Sequence, residues 1–141
     1  MSYPEGTYIL LLAMLAQVGL MIVLLFALGI GRFQAASGGK AKRGADGNLI
    51  FPKKLVCLSD CVNNQFQLPL LFFVAALVAM QINAASDTFA MVAWIFVVFR
   101  FIHAGIFVTS NHVLSRFLTF VVGAIALLIL WGMLALRILA A

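Results

Sequence analysis

The sequence predicts an all-α integral membrane protein, a bundle of four spanning helices, and three observations carry that prediction. Of its 141 residues 65% are hydrophobic and only 9% charged, far below the quarter or so that is usual in soluble domains. The apolar residues fall into four runs, at about 8–30, 62–82, 89–109 and 114–136, each near the ~20 residues that cross a bilayer. The basic residues cluster: Arg32, Lys40, Lys42, Arg43, Lys53 and Lys54 all follow the first run, with Asp46 and Asp60 the only acids there. In a soluble protein a net charge of +5 would suggest nucleic acid, but beside membrane spans topology explains it and no nucleic-acid partner is implied. One compact membrane domain, 1–141, accounts for the chain.

Span one runs from Tyr8 to Ile30 with a single interior polar side chain, Gln17, and is expected to end at Gly29 and Gly31, ahead of Arg32. Gln17 suits a hydrogen bond between helices better than a ligand contact. The opening MSYPEGTYIL lacks the basic region and cleavage site of a signal peptide, so this span is expected to persist in the mature protein. From 32 to 58 the Gly, Ser, Ala and basic residues predict a surface loop that faces the cytoplasm, with both termini outside. Its cations suit anionic lipid headgroups at about 1 kcal/mol each, and Arg32, at the span end, is the best placed of them for a specific anion. Cys57 and Cys61 are too few for a disulfide scaffold and read as free thiols. With no Cys/His cluster beside them, no metal site is expected.

Span two, Val62 to Ile82, has a polar entrance: Asp60, Asn63, Asn64, Gln65 and Gln67 precede Pro69. Asp60, Asn64 and Gln67 stand at i, i+4 and i+7, one stripe if the helix begins before Asp60. A kink is expected near Pro69, where neighbours must satisfy the freed carbonyl. The turn Asn83 to Thr88 leads to span three, with Asp87 or Thr88 as its cap.

Span three, Phe89 to Thr109, places Arg100 and His103 on one face with Phe107 and Asn111. Arg100 lies roughly 15 to 17 Å from Asn111 at 1.5 Å per residue, deep in the bilayer, where an arginine costs about 2.5 to 3.5 kcal/mol on insertion scales. Such a residue faces a protein interior or wet cavity and has a partner. Gln67, Asn64 and Asp60 are the candidates for a structural pairing, and an anionic ligand is the alternative. His103 reads as a satisfied interior histidine or as a base. Beyond the turn at 110–114, Arg116 opens span four, which passes Gly123 and Trp131 to Arg137. A proton-coupled carrier is disfavoured: no carboxylate lies within a span, Asp60 at the border being the nearest.

Two stretches, Asn64-Gln-Phe-Gln-Leu-Pro69-Leu-Leu-Phe and Arg100-x-x-His103 followed by Asn111 and Arg116, resemble the MAPEG family, the membrane-associated proteins in eicosanoid and glutathione metabolism. The first is most similar to small bacterial members, which implies a bacterial inner membrane. The resemblance implies a homotrimer of four-helix subunits that holds glutathione between neighbours near the cytoplasmic face, with a lipophilic co-substrate arriving from the membrane. It assigns Arg116 and His103 catalytic roles and gives ligand contacts to Asn64, Gln67, Arg100 and Asn111, to which Arg32 is added by its place at the span end. Arg116 matches the basic residue that stabilises the glutathione thiolate, as a nearby cation does for a thiol.

The pattern also departs from the family. Of the helix-two motif Arg-x-x-x-Asn-x-x-Glu only Asn64 remains, with Asp60 in the arginine position and Gln67 in the glutamate position. Asp cannot reproduce the bidentate grip of arginine on a carboxylate. Phe107 stands where the prostaglandin enzyme has a tyrosine and cannot donate a hydrogen bond. Two functions therefore compete: transferase- or peroxidase-type chemistry on a bound thiol, or a non-catalytic membrane protein whose polar stripe serves assembly.

Overall fold

The computed structural model describes residues 4–44 and 47–140, so Asp46 lies outside the described residues. Helix α1 spans Glu5–Ser37, a short antiparallel hairpin follows (β1 Lys42–Arg43, β2 Leu49–Ile50), and then come α2 Lys53–Asn64, α3 Leu68–Gln81, α4 Asp87–Val108 and α5 Val113–Leu139. Among the described residues four segments are long and apolar enough to cross a membrane: Glu5–Ser37, Lys53–Gln81, Asp87–Val108 and Val113–Leu139. The second joins α2 to α3, and the all-α, four-span expectation holds.

Small side chains set how the helices meet. Ala13, Ala75, Ala76, Ala79, Ala90 and Ala93 are fully buried, while Leu15, Val23, Phe26 and Leu128 point outward. This is the membrane arrangement: lipid is as apolar as leucine, so small residues go where backbones must approach. Phe72 of α3 stacks on Phe96 of α4 with ring centroids 4.8 Å apart. Gly6 brings α1 onto the α3–α4 turn, where a Cβ would fall 2.5 Å from the Ala85 carbonyl oxygen. Towards the other end a second cluster joins Leu20, Leu24 and Leu28 of α1 to Cys61 and Val62 of α2 and Ala104 and Phe107 of α4.

Three boundaries differ from the expected ones. Helix α1 does not stop at Gly29 and Gly31 but runs to Ser37. The physical reason is contact: a Cβ on Gly31 would lie 2.5 Å from Leu55 Cδ2, so this glycine admits α2 against the last turns of α1. The expected loop at 32–58 is correspondingly shorter, because α2 begins at Lys53 directly after Pro52 and the intervening chain folds into the hairpin. Thirdly, the cap of α4 is Ser86, whose hydroxyl accepts from the Phe89 N–H at 3.2 Å, and Asp87 occupies the first turn, where its charge favours the positive end of the helix dipole.

The expected kink at Pro69 is a full break. Proline has no N–H to offer the Gln65 carbonyl, and its ring crowds the preceding turn. Helix α2 ends at Asn64, residues 65–67 form a turn, and α3 restarts at Leu68 with Pro69 in its first turn. The amides of Gln17 and Gln65 meet at the break, Nε2 of Gln17 donating to Oε1 of Gln65 at 3.2 Å, both side chains buried. That bond is the helix-to-helix contact expected of Gln17.

Candidate functional site

The break and the α4–α5 turn lie at the same end of the bundle, and between them opens a cavity of about 520 Å³. Helix α2 contributes Asp60, Asn63 and Asn64, and the break contributes Gln67. From α4 come His103 and Phe107, and from α5 come Val113, Arg116, Phe117 and Phe120. The size falls within the range usual for small-molecule sites, which combine an apolar wall with a few placed polar groups.

Arg100 sits behind this cavity and does not line it. It is 1% exposed, and its Nη2 donates both to the Asn64 main-chain carbonyl, at 3.2 Å, and to the Asn64 side-chain Oδ1. At the helix break that carbonyl accepts from the Gln67 N–H at 3.4 Å, and the arginine adds a second donor to it. Nε and Nη1 of Arg100 have no hydrogen-bond partner among the described residues. Among the described residues Arg100 makes a structural contact, holding Asn64 at the cavity wall.

His103 has a defined tautomer. Its Nδ1 lies 3.0 Å from the Arg116 carbonyl oxygen, an acceptor only, so Nδ1 carries the hydrogen and donates it. The Thr119 hydroxyl, which donates to the Arg116 carbonyl at 2.9 Å, stands 3.3 Å from the same ring nitrogen. The other nitrogen, Nε2, is left with a bare lone pair, shielded from solvent and without a hydrogen-bond partner among the described residues. Phe107 meets the imidazole edge-on at 5.7 Å between centroids.

Arg116 is aimed by two neighbours. Its Nη1 donates to Asn111 Oδ1 at 2.6 Å, and its guanidinium carbon lies 4.1 Å above the Phe107 ring centroid. Cation–π contact of this kind contributes about 0.5 to 1 kcal/mol at exposed sites and more when water is excluded. Phe107 cannot do what a phenol does, but it supplies the face on which the guanidinium rests. Asn111 takes a left-handed backbone, φ +49°, which asparagine tolerates better than most side chains, and so serves both the turn and Arg116.

Of the residues singled out in the sequence, Asn64, Gln67, His103 and Arg116 come together at the cavity. Arg100 and Asn111 stand one contact behind it. Arg32 is elsewhere: its Nη2 donates to Ser59 Oγ at 2.9 Å and its guanidinium lies 5.5 Å from the Phe51 ring centroid, tying α1 to α2. Sequence reasoning did not single out Val113, Phe117 or Phe120. Their spacing along α5 was the available signal, since i, i+4 and i+7 share a helix face with Arg116 beside them. Cys57 and Cys61 are free, and Cys57 Sγ donates to the Phe107 carbonyl at 3.2 Å. Among the described residues no group of three or more His, Cys, Asp or Glu side chains is placed to hold a metal ion.

Neither among curated proteins nor among solved structures does any match the chain. The model of the MAPEG family matches residues 10–136. Nearly the whole chain is covered, including every residue of the cavity, and the protein therefore belongs to the MAPEG family.

Proposed function

We propose that the cavity binds glutathione or a similar small thiol and promotes its reaction with a lipophilic electrophile or peroxide that enters from the bilayer. The observation that carries this reading is that His103 and Arg116 line one cavity, with His103 Nε2 left without a hydrogen-bond partner among the described residues. In this reading the imidazole turns enough to bring Nε2, shielded in the unliganded protein, to the cavity; His103 takes the thiol proton there, and Arg116 stabilises the sulfur anion that remains. The thiolate then attacks the electrophile and forms the new sulfur bond as the leaving group departs. Asn64 and Gln67 offer amides to the polar part of the thiol compound, while Phe117 and Phe120 flank the apolar partner. Glutathione is a substrate in this scheme, and no metal takes part.

Thermal unfolding in detergent tests the reading. Millimolar glutathione should raise the melting temperature of the unmodified protein, because a ligand of the folded state stabilises it in proportion to the logarithm of its saturation. Arg116→Ala should abolish that shift, apart from any small change in the unliganded melting temperature from the loss of its contacts with Asn111 and Phe107. The absence of any shift in the unmodified protein rejects a glutathione site.

The setting we propose is a homotrimer in a bacterial inner membrane, with lipids around it, both termini outside and the basic loop in the cytoplasm. Exposed amides at Asn63 and Gln67 support assembly, because polar groups on a spanning segment are better satisfied when subunits share them. Native mass spectrometry in mild detergent should report trimers, and a spectrum of monomers alone would count against it. Orientation follows from the basic-loop asymmetry. A cysteine placed at Ser37 should be labelled only from the cytoplasm and one at Ser86 only from outside; the reverse pattern would put the cavity on the other side.

The competing reading, a non-catalytic member whose polar stripe serves assembly, draws support from Arg100, whose side-chain hydrogen bonds among the described residues go to Asn64. Under that reading neither glutathione nor the Arg116 substitution changes anything but the oligomer.

A further inference from the structure

The cavity's charges are of both signs, and the acid is the informative one. Asp60 stands at its α2 wall, is exposed, and has no hydrogen-bond or ion-pair partner among the described residues. Arg116 stands at the α5 wall; Asn111 occupies one of its donors, and a guanidinium has five. The two do not neutralise one another by direct contact. Asn63, Asn64 and Gln67 lie along α2 and the break, offering neutral donors and acceptors on the Asp60 side, and the aromatic wall of Phe117 and Phe120 lies on the Arg116 side.

A free carboxylate at the mouth of a cavity that also holds a guanidinium repels a simple anion from one side while Arg116 attracts it from the other. A simple cation meets the opposite conflict. A molecule with both charges satisfies both walls. We propose that Asp60 makes this cavity selective for a zwitterion, its primary ammonium against Asp60 and its anionic group towards Arg116. An ammonium brings three N–H donors to an acceptor-only carboxylate, and hydrogen bonds between charged partners are the stronger kind. This inference does not depend on a thiol. A peptide thiol with a free α-amine carries the required pair of charges, and so does an aminophospholipid headgroup, whose acyl chains would follow the aromatic wall into the bilayer.

Titration calorimetry on the detergent-solubilised protein, with two pairs of probes, tests it. The first pair is glutathione and its N-acetylated form, and the second is short-chain phosphatidylethanolamine and phosphatidylcholine, the choline ammonium having no N–H. The expected result is that, in at least one pair, the primary ammonium compound binds about fivefold or more tightly than its counterpart. Asp60→Asn should bring that pair to parity by weakening the ammonium member, and Asp60→Glu should retain the preference. Selectivity in the lipid pair alone leaves the zwitterion site standing and removes the thiol reading; selectivity in the peptide pair supports both. Parity within both pairs on the unmodified protein overturns the inference, even where glutathione itself binds. So does a preference that survives Asp60→Asn, or binding by none of the four probes. Because Asp60 is exposed and has no partner among the described residues, its replacement should not unfold the protein, and the unmodified chain alone already decides between selectivity and parity.

Discussion

Arg100→Ala is expected to lower the stability of the folded protein by roughly 2 to 5 kcal/mol. Two contributions add. Removal of the guanidinium takes the donor from Asn64 Oδ1 and leaves its carbonyl with the Gln67 N–H at 3.4 Å, and losing a donor at a buried acceptor costs about 1 to 3 kcal/mol, less at this half-buried residue. The truncated side chain also opens a void against Phe96 and the α5 glycine Gly123, whose Cβ position lies 4.0 Å from Arg100 Cδ. One effect opposes them: Arg100 is a buried cation with two unpaired donor atoms, and relieving its desolvation offsets part of the loss. Arg100→Met separates these contributions, since it fills the void, removes the charge and still strands Asn64. We expect Arg100→Ala to melt lowest, Arg100→Met to fall between it and the unmodified protein, and unfolding titrations in detergent to give that order. An alanine variant as stable as the unmodified protein would show that Arg100 does not hold the broken helix.

The second large effect falls on chemistry. If His103 Nε2 is the proton acceptor, His103→Ala should reduce kcat for glutathione conjugation of a small aryl halide by about 100-fold or more, with little change in KM for the thiol. Arg116→Ala should reduce kcat as well and also raise KM, because that guanidinium meets both the bound thiol compound and the developing anion. Thr119→Val asks whether the histidine's surroundings matter: the Arg116 carbonyl still accepts from Nδ1, so the tautomer and most of the rate should survive. Rates within about threefold of the unmodified protein for His103→Ala would remove the histidine from the chemistry, since general acid–base catalysis contributes far more than that.

How much of this was legible in the sequence depends on the kind of signal. Charge in an apolar run is conspicuous, so Arg100 and His103 declared themselves, and Asn64 was among the three partners expected for Arg100. The i, i+4 spacing placed Asp60 and Asn64 on one face correctly. It extends to Gln67 only through the break, which carries that side chain to the cavity by a turn instead of a continuous helical stripe. Proline announced a disturbance but not its extent, because extent depends on whether a neighbour can take the released carbonyl. Gly31 misled for a related reason: a glycine that ends a helix and one that admits a neighbouring helix look alike until Leu55 is seen against it. Phe117 and Phe120 were hidden in plain composition, since a phenylalanine facing lipid and one facing a cavity are the same letter. The role of Asn111, split between a left-handed turn and the aiming of Arg116, needed the two helix ends in place.

The break in the second span also sets a length. Helix α3 has 14 residues, about 21 Å at 1.5 Å per residue, against a hydrocarbon core of about 30 Å. Its apolar part therefore falls short of the bilayer by some 9 Å on that measure, and the missing depth is occupied by Asn63 to Gln67 and the upper turns of α2. The second segment as a whole, Lys53–Gln81, is long enough to span, but part of that length is polar. Under the proposed function, a cavity beside this short helix is one that a water-soluble compound and a molecule dissolved in lipid would each approach from its own solvent. Bilayer thickness then becomes a variable of the site, because thicker membranes raise the cost of hydrophobic mismatch at the span whose helix is broken.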